Sequence, residues 1–160
     1  MKRLLAAAVA ALSSAALVAA AHAAGPKLPA KAAYAGQNSH GKAARITVSK
    51  QGKRVGYTMY VKLPCANGES VDGVYWTTEG KFYGQYWIRP TAKGAFKLNS
   101  ANDGTWDGGT YKASARFAGR FTSATAATGT FRGHIAYYNA DGSLLTKCDT
   151  GPVTWSVKRR

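Results

Sequence analysis

Acidic residues are scarce in this chain: 7 Asp/Glu stand against 22 Lys/Arg, for a formal net charge of +15. Histidine and cysteine are also sparse, at 3 and 2 residues. Each shortage excludes chemistry. Glycoside hydrolysis needs two carboxylates facing one bond. Here Glu69, Asp72, Glu79, Asp103, Asp107, Asp141 and Asp149 mostly fall in or beside turn-like stretches, "NGES", "TTEG", "NDGTWDGG" and "ADGS". Turns recruit Asp for local backbone bonding. No G-x-S-x-G occurs, and beyond residue 24 the only histidines are His40 and His134, neither in a nucleophile motif. A nucleophile, a base and an orienting group are therefore not assembled. Two histidines without paired spacing make a poor metal site. The C-x-x-C spacing of redox and zinc motifs is missing too. Asp103 to Gly108 partly imitates a calcium loop, but the position of its terminal Glu is held by Ser114. The sequence thus predicts a non-enzymatic protein with no cofactor and no metal site.

Long apolar runs are confined to the N-terminus. Met1-Lys2-Arg3 is basic, Leu4 to Ala21 is apolar apart from Ser13 and Ser14, and Ala21-His22-Ala23 is a small-x-small cleavage pattern. This predicts a signal peptide over 1–23 and a mature chain starting at Ala24. No Cys follows the run, which argues against a lipoprotein anchor. No membrane span is expected after signal removal. Removing Lys2 and Arg3 takes the net charge from +15 to +13. Export and an even cysteine count favour a disulfide between Cys65 and Cys148. Such a bridge would remove roughly 4 kcal/mol of unfolded-chain entropy. The expected location is the periplasm or the cell exterior.

What the chain does have is alternation. Residues 24–33, "AGPKLPAKAA", hold two prolines and read as a flexible leader. From 34 to 160 short alternating runs are broken by turn residues, which predicts a single all-β domain. "ARITVS" (44–49) and "RVGYTMYVKL" (54–63) read as strands, the latter with Val55, Tyr57, Met59, Val61 and Leu63 on one face. "NG" at 67–68 is a hairpin signal. Two strands are expected around "TTEG", the second ended by Pro90. "AFKL" (95–98) reads as a short strand and "NDGTWDGG" (102–109) as a loop. "YKASARFAGRF" (111–121), "TGTFRGHIAYY" (128–138), "SLLTKC" and "PVTWSV" (152–157) complete the set. Short connections leave no room for parallel crossovers. The expected architecture is an antiparallel β-sandwich of about nine or ten hairpin-connected strands, with a closed meander barrel as the alternative.

One order of motifs runs through the chain. Tyr34-Ala35-Gly36 is followed by Cys65 and "NG", then by Gly119-Arg120-Phe121 and "ATGTFRG" (127–133), and finally by "CDTG" (148–151) and Trp155. This order resembles a group of small exported bacterial β domains. The resemblance implies an all-β fold and pairing of the two cysteines; it transfers no catalytic residue.

Two candidate sites emerge. A hairpin turning about Ala124 sets Arg116 opposite Arg132 and Ser114 opposite His134, with Lys112 and Arg120 on the same outer face. Like charges directly opposite repel, and an anion would relieve them. The second site is aromatic. Phe82, Tyr86 and Ile88 share the expected core face, leaving Tyr83 and Trp87 outward. Trp76 or Tyr75 joins them, depending on whether the hairpin loop is even or odd. Exposed aromatics in a row can stack on sugars or merely pair across strands. A basic exported domain is drawn to polyanions. The expectation is a secreted binding domain for an anionic or carbohydrate polymer of the envelope or surroundings, with no specific nucleic-acid readout. The alternative is a structural or protein-interaction module, for example one that inhibits an envelope enzyme.

Overall fold

A computed structural model describes residues 25–78 and 87–160, apart from the side chains of 73–75. The expected signal peptide, Phe82, Tyr83, Tyr86 and the body of the second strand around "TTEG" lie outside the described residues. Among the described residues no helix is long and apolar enough to cross a membrane.

The chain is all-β and antiparallel. Its strands are β1 (Ala33–Asn38), β2 (Ala43–Val48), β3 (Val55–Pro64), β4 (Ser70–Thr77), β5 (Ala95–Trp106), β6 (Gly109–Ser123), β7 (Ala126–Asn139), β8 (Leu144–Asp149) and β9 (Val153–Arg159). They form one sheet in the order β4-β3-β2-β1-β9-β7-β6-β5, with β8 also paired to β7. The sheet curls into a half-barrel, so its two halves face each other. The inner faces meet through aromatic rings: Tyr57 of β3 stacks on Phe117 of β6 at 3.9 Å between centroids. Trp76 of β4 lies 5.3 Å from Phe131 of β7.

The strands form because every second side chain finds this core. Val55, Tyr57, Met59, Val61 and Leu63 are buried, as are Ala115, Phe117, Phe121, Phe131, Val153, Trp155 and Val157. Burial of such side chains contributes on the order of 2 kcal/mol each.

One break in the sheet shapes the molecule. The β1–β2 turn ends as a wedge between β3 and β9. Asn38, buried at its tip, donates from Nδ2 to the Tyr60 carbonyl at 2.6 Å. Its Oδ1 accepts from the backbone N–H groups of His40 and Lys42. Beyond this wedge β3 reaches β8, and the Cys65–Cys148 disulfide joins them. β8 and β9 are one interrupted strand along β7. Between the pairs His134↔Asp149 and Phe131↔Val153 they carry one residue more than β7 does. The "CDTG" motif is this bulge. Thr150 bonds the backbone of Gly133, and Gly151 adopts φ 64°, a value that favours glycine.

One expectation is corrected here. Residues 102–106 are not a loop but the second half of β5, paired residue by residue with β6 down to Trp106↔Gly109. That removes the loop in which Asp103 and Asp107 would resemble calcium ligands. Within the stretch expected as a leader, Gly25 donates to the Ala92 carbonyl at 2.6 Å and Leu28 packs against the core.

Candidate functional site

The outer face of β5, β6, β7 and β9 carries the candidate site. The predicted hairpin register is the observed one: Arg116↔Arg132, Ser114↔His134 and Arg120↔Thr128. On the other side of β6, Asn99 faces Arg116, Lys97 faces Ala118 and Ala95 faces Arg120. Lys97, Arg116 and Arg120 therefore surround Ala118, at roughly 5–8 Å by ordinary sheet spacing. All three are exposed, and none pairs with a carboxylate among the described residues. Beside them runs a strip of exposed hydroxyls. Thr130 faces Thr154 and Thr128 faces Ser156, which in turn faces Gln37 of β1. Such a strip supplies donors and acceptors to a polyhydroxylated ligand.

Arg132 differs from its cross-strand partner. Its guanidinium donates twice to Asp149, from Nε at 3.2 Å to Oδ1 and from Nη2 at 2.6 Å to Oδ2. The bulge aims this carboxylate, because the N–H of Gly151 also donates to Oδ1 at 2.8 Å. Asp149 is held below the usual carboxylate range, chiefly by the Arg132 hydrogen bond and further by Gly151 and the nearby His134. The expected Arg116–Arg132 repulsion is thus offset by Asp149, which pairs with the anion-binding candidate Arg132. Lys112 is also engaged, with Nζ 5.7 Å from the centre of the Tyr138 ring.

Ser114, His134 and Asp149 form a row across three strands, with His134 Nε2 3.3 Å from Asp149 Oδ2. No hydrogen bond joins Ser114 to His134, and both are exposed. Among the described residues no base contacts the serine, and Asp149 is shared with Arg132. The row lacks an activated nucleophile.

The aromatic candidates separate. Trp76 pairs with Met59, whose side chain is fully buried, and packs inward over Phe131 and Gly133. It does not join an outer platform, because the parity of β4 turns its ring into the half-barrel. The side chain of Tyr75 and all of Tyr83 lie outside the described residues. Trp87 is half-buried beside Ile88, and Ile88 is buried and bridges Val55 of β3 rather than β4. An aromatic group that sequence reasoning missed stands elsewhere. Trp106 meets Tyr137 edge-on at 5.7 Å, and Tyr111 lies 6.5 Å from Tyr137. The pairing Tyr111↔Tyr137 follows from the β6–β7 register, whereas Trp106 falls in the stretch expected as a loop.

Topology also sorts the charges. Glu69, Asp107 and Asp141 occupy the β3–β4, β5–β6 and β7–β8 turns, all at the end that holds the disulfide. Asp72 and Asp103 lie near the same end, and Asp149 lies midway. The opposite end gathers Lys50, Lys53 and Arg54 of the β2–β3 turn, Arg89 and Lys93 before β5, and Lys158 to Arg160 at the end of β9. No acid stands there among the described residues. The chain matches no family model, no curated protein and no solved structure.

Proposed function

We propose that this protein is an exported, non-enzymatic binding domain for an anionic polysaccharide-like polymer of the envelope or surroundings. The polymer would lie along the outer face of β5, β6, β7 and β9. The supporting observation is the cluster of Lys97, Arg116 and Arg120, unpaired with carboxylates among the described residues and set beside a strip of hydroxyls. Three like charges around one alanine repel each other, and a sulfated or carboxylated chain exchanges that repulsion for charge-assisted hydrogen bonds. Most of the acids among the described residues stand toward the other end, which favours approach of a polyanion here.

The test is affinity for heparin-like and uronate polymers. Lys97→Ala/Arg116→Ala/Arg120→Ala should weaken binding roughly tenfold or more, at up to about 1 kcal/mol per exposed contact. Lys42→Ala/Lys62→Ala/Lys147→Ala removes the same charge from elsewhere and should cost clearly less. Equal losses would leave net charge as the only determinant and sink the proposed face.

A further inference from the structure

We infer that the basic end carries a second site, a cleft that takes a single acidic sugar residue. It has a volume of about 470 Å³ and lies between Pro26–Leu28, the β2–β3 turn at Gln51–Lys53, and the Arg89–Thr91 segment with Gly94. That volume falls in the range of small-ligand pockets. Its lining divides by chemistry. Pro26, Leu28 and Pro90 are apolar and suit the C–H face of a pyranose ring. Lys27, Lys53 and Arg89 are cationic, and among the described residues no acid lines the cleft. Arg89 can hold a carboxylate or phosphoryl group through two parallel N–H bonds. Thr91 Oγ1 already accepts from the Ala95 N–H at 3.2 Å, which leaves its hydroxyl hydrogen to donate to a ligand.

The walls are held by backbone bonds. Gly25 donates to the Ala92 carbonyl at 2.6 Å, Gly52 to Ser49 at 2.9 Å and Gly94 to Thr91 at 2.9 Å. Gly52 and Gly94 adopt φ 71° and 76°, which these tight turns require. A β-carbon on Gly52 would also stand 3.0 Å from the Leu28 carbonyl oxygen. The cleft is therefore preformed. This inference rests on the polymer proposal in one respect: the sugar would be a residue of that polymer.

The experiment is an amide NMR titration of the purified protein with glucuronate, glucose 6-phosphate, glucose and inorganic phosphate. Saturable shifts are expected at Leu28, Gly52, Thr91 and Gly94 with at least one acidic sugar. Whichever acidic sugar binds assigns the anionic group as carboxyl or phosphoryl. Glucose should give no saturable shift. Lys53→Ala/Arg89→Ala, both exposed positions, should weaken binding at least tenfold while leaving the spectrum dispersed. Lys62→Ala/Lys147→Ala should leave it unchanged. The site is overturned by absence of saturation with either acidic sugar, by equal shifts with phosphate alone, or by binding that survives Lys53→Ala/Arg89→Ala. Heparin affinity of the same samples separates the two ideas. Polymer binding without sugar shifts removes only the cleft; sugar shifts without polymer binding remove only the polymer proposal.

Discussion

Trp155 has room for its indole because two glycines face each other beneath it. Gly119 pairs with Gly129, and a β-carbon on either would enter the Trp155 ring. The indole then lies nearly parallel to Phe117, 5.2 Å away at 8°. Gly129→Ala should cost about 3 kcal/mol, the upper part of the overpacking range, read as a lower urea midpoint with unchanged m. Burial acts on Tyr57 differently. Desolvation pushes its hydroxyl up to about 12, from 10.0, against a lowering contribution from Ser100. A raised folded value means that stability is full below pH 10 and falls as pH climbs toward 12, by about 3 kcal/mol in all. Tyr57→Phe has no proton to lose, so its denaturation midpoint should be flatter across pH 9–12 than that of the parent. Asp149 works in the opposite sense. Its folded value is depressed by Arg132, so its stabilisation is present above the unfolded carboxylate range and lost as pH falls through the lowered value. Arg132→Ala should raise the Asp149 titration midpoint, measured by carboxyl NMR, and the stability gap between the two proteins should close in acid.

Alternation carries most of the strand assignments, because each buried side chain in β3, β6, β7 and β9 repeats at every second position. Two elements escape it for identifiable reasons. Residues 102–106 hold Asn, Asp and Gly, which favour turns, yet the ladder with β6 continues through them. The ring of Tyr111 covers Gly104, where a β-carbon would meet it at 2.7–2.8 Å. A glycine covered by a cross-strand aromatic is compatible with a strand. The choice between Trp76 and Tyr75 was also illegible, because parity depends on pairing with β3. A register shift between Val61 and Leu63 sets that parity, and it cannot be seen in β4 itself. The disulfide belongs to this scale as well. It fastens the end of β3 to β8 across a separation of 83 residues. Cys65→Ser/Cys148→Ser should lose roughly 4 kcal/mol in the chain-entropy model. Thermal melts of the variant should show a lower midpoint while its far-UV spectrum at 25 °C stays β-rich.

At the scale of the molecule, charge is dispersed along the chain but sorted in space. Antiparallel strands return the chain to the same two ends, so turns far apart in sequence become neighbours. Lys53 and Arg89 line one cleft although 36 positions separate their numbers. Polyanion binding at such a surface should be steeply salt-dependent. Retention on heparin should fall strongly between about 0.1 and 1 M salt, as the screening length shrinks from about 10 to 3 Å. The Lys97→Ala/Arg116→Ala/Arg120→Ala protein should show a shallower slope of log affinity against log salt. An unchanged slope would place the bound polymer elsewhere.

The amino-acid sequence by itself determined the all-β class, the inward residues of most strands, the β6–β7 register and the cysteine pairing. These follow from period-two alternation, from turn residues and from the even count of two cysteines. Tertiary structure alone decided that one curled sheet contains the described strands, that Trp76 faces inward and that Arg132 is neutralised by Asp149. It also decided that Lys97 joins Arg116 and Arg120, and that Lys27, Lys53 and Arg89 share a cleft. Those outcomes depend on which strands meet and with what offset. Pairing partners and bulges are properties of two chain segments at once, and neither segment encodes them alone.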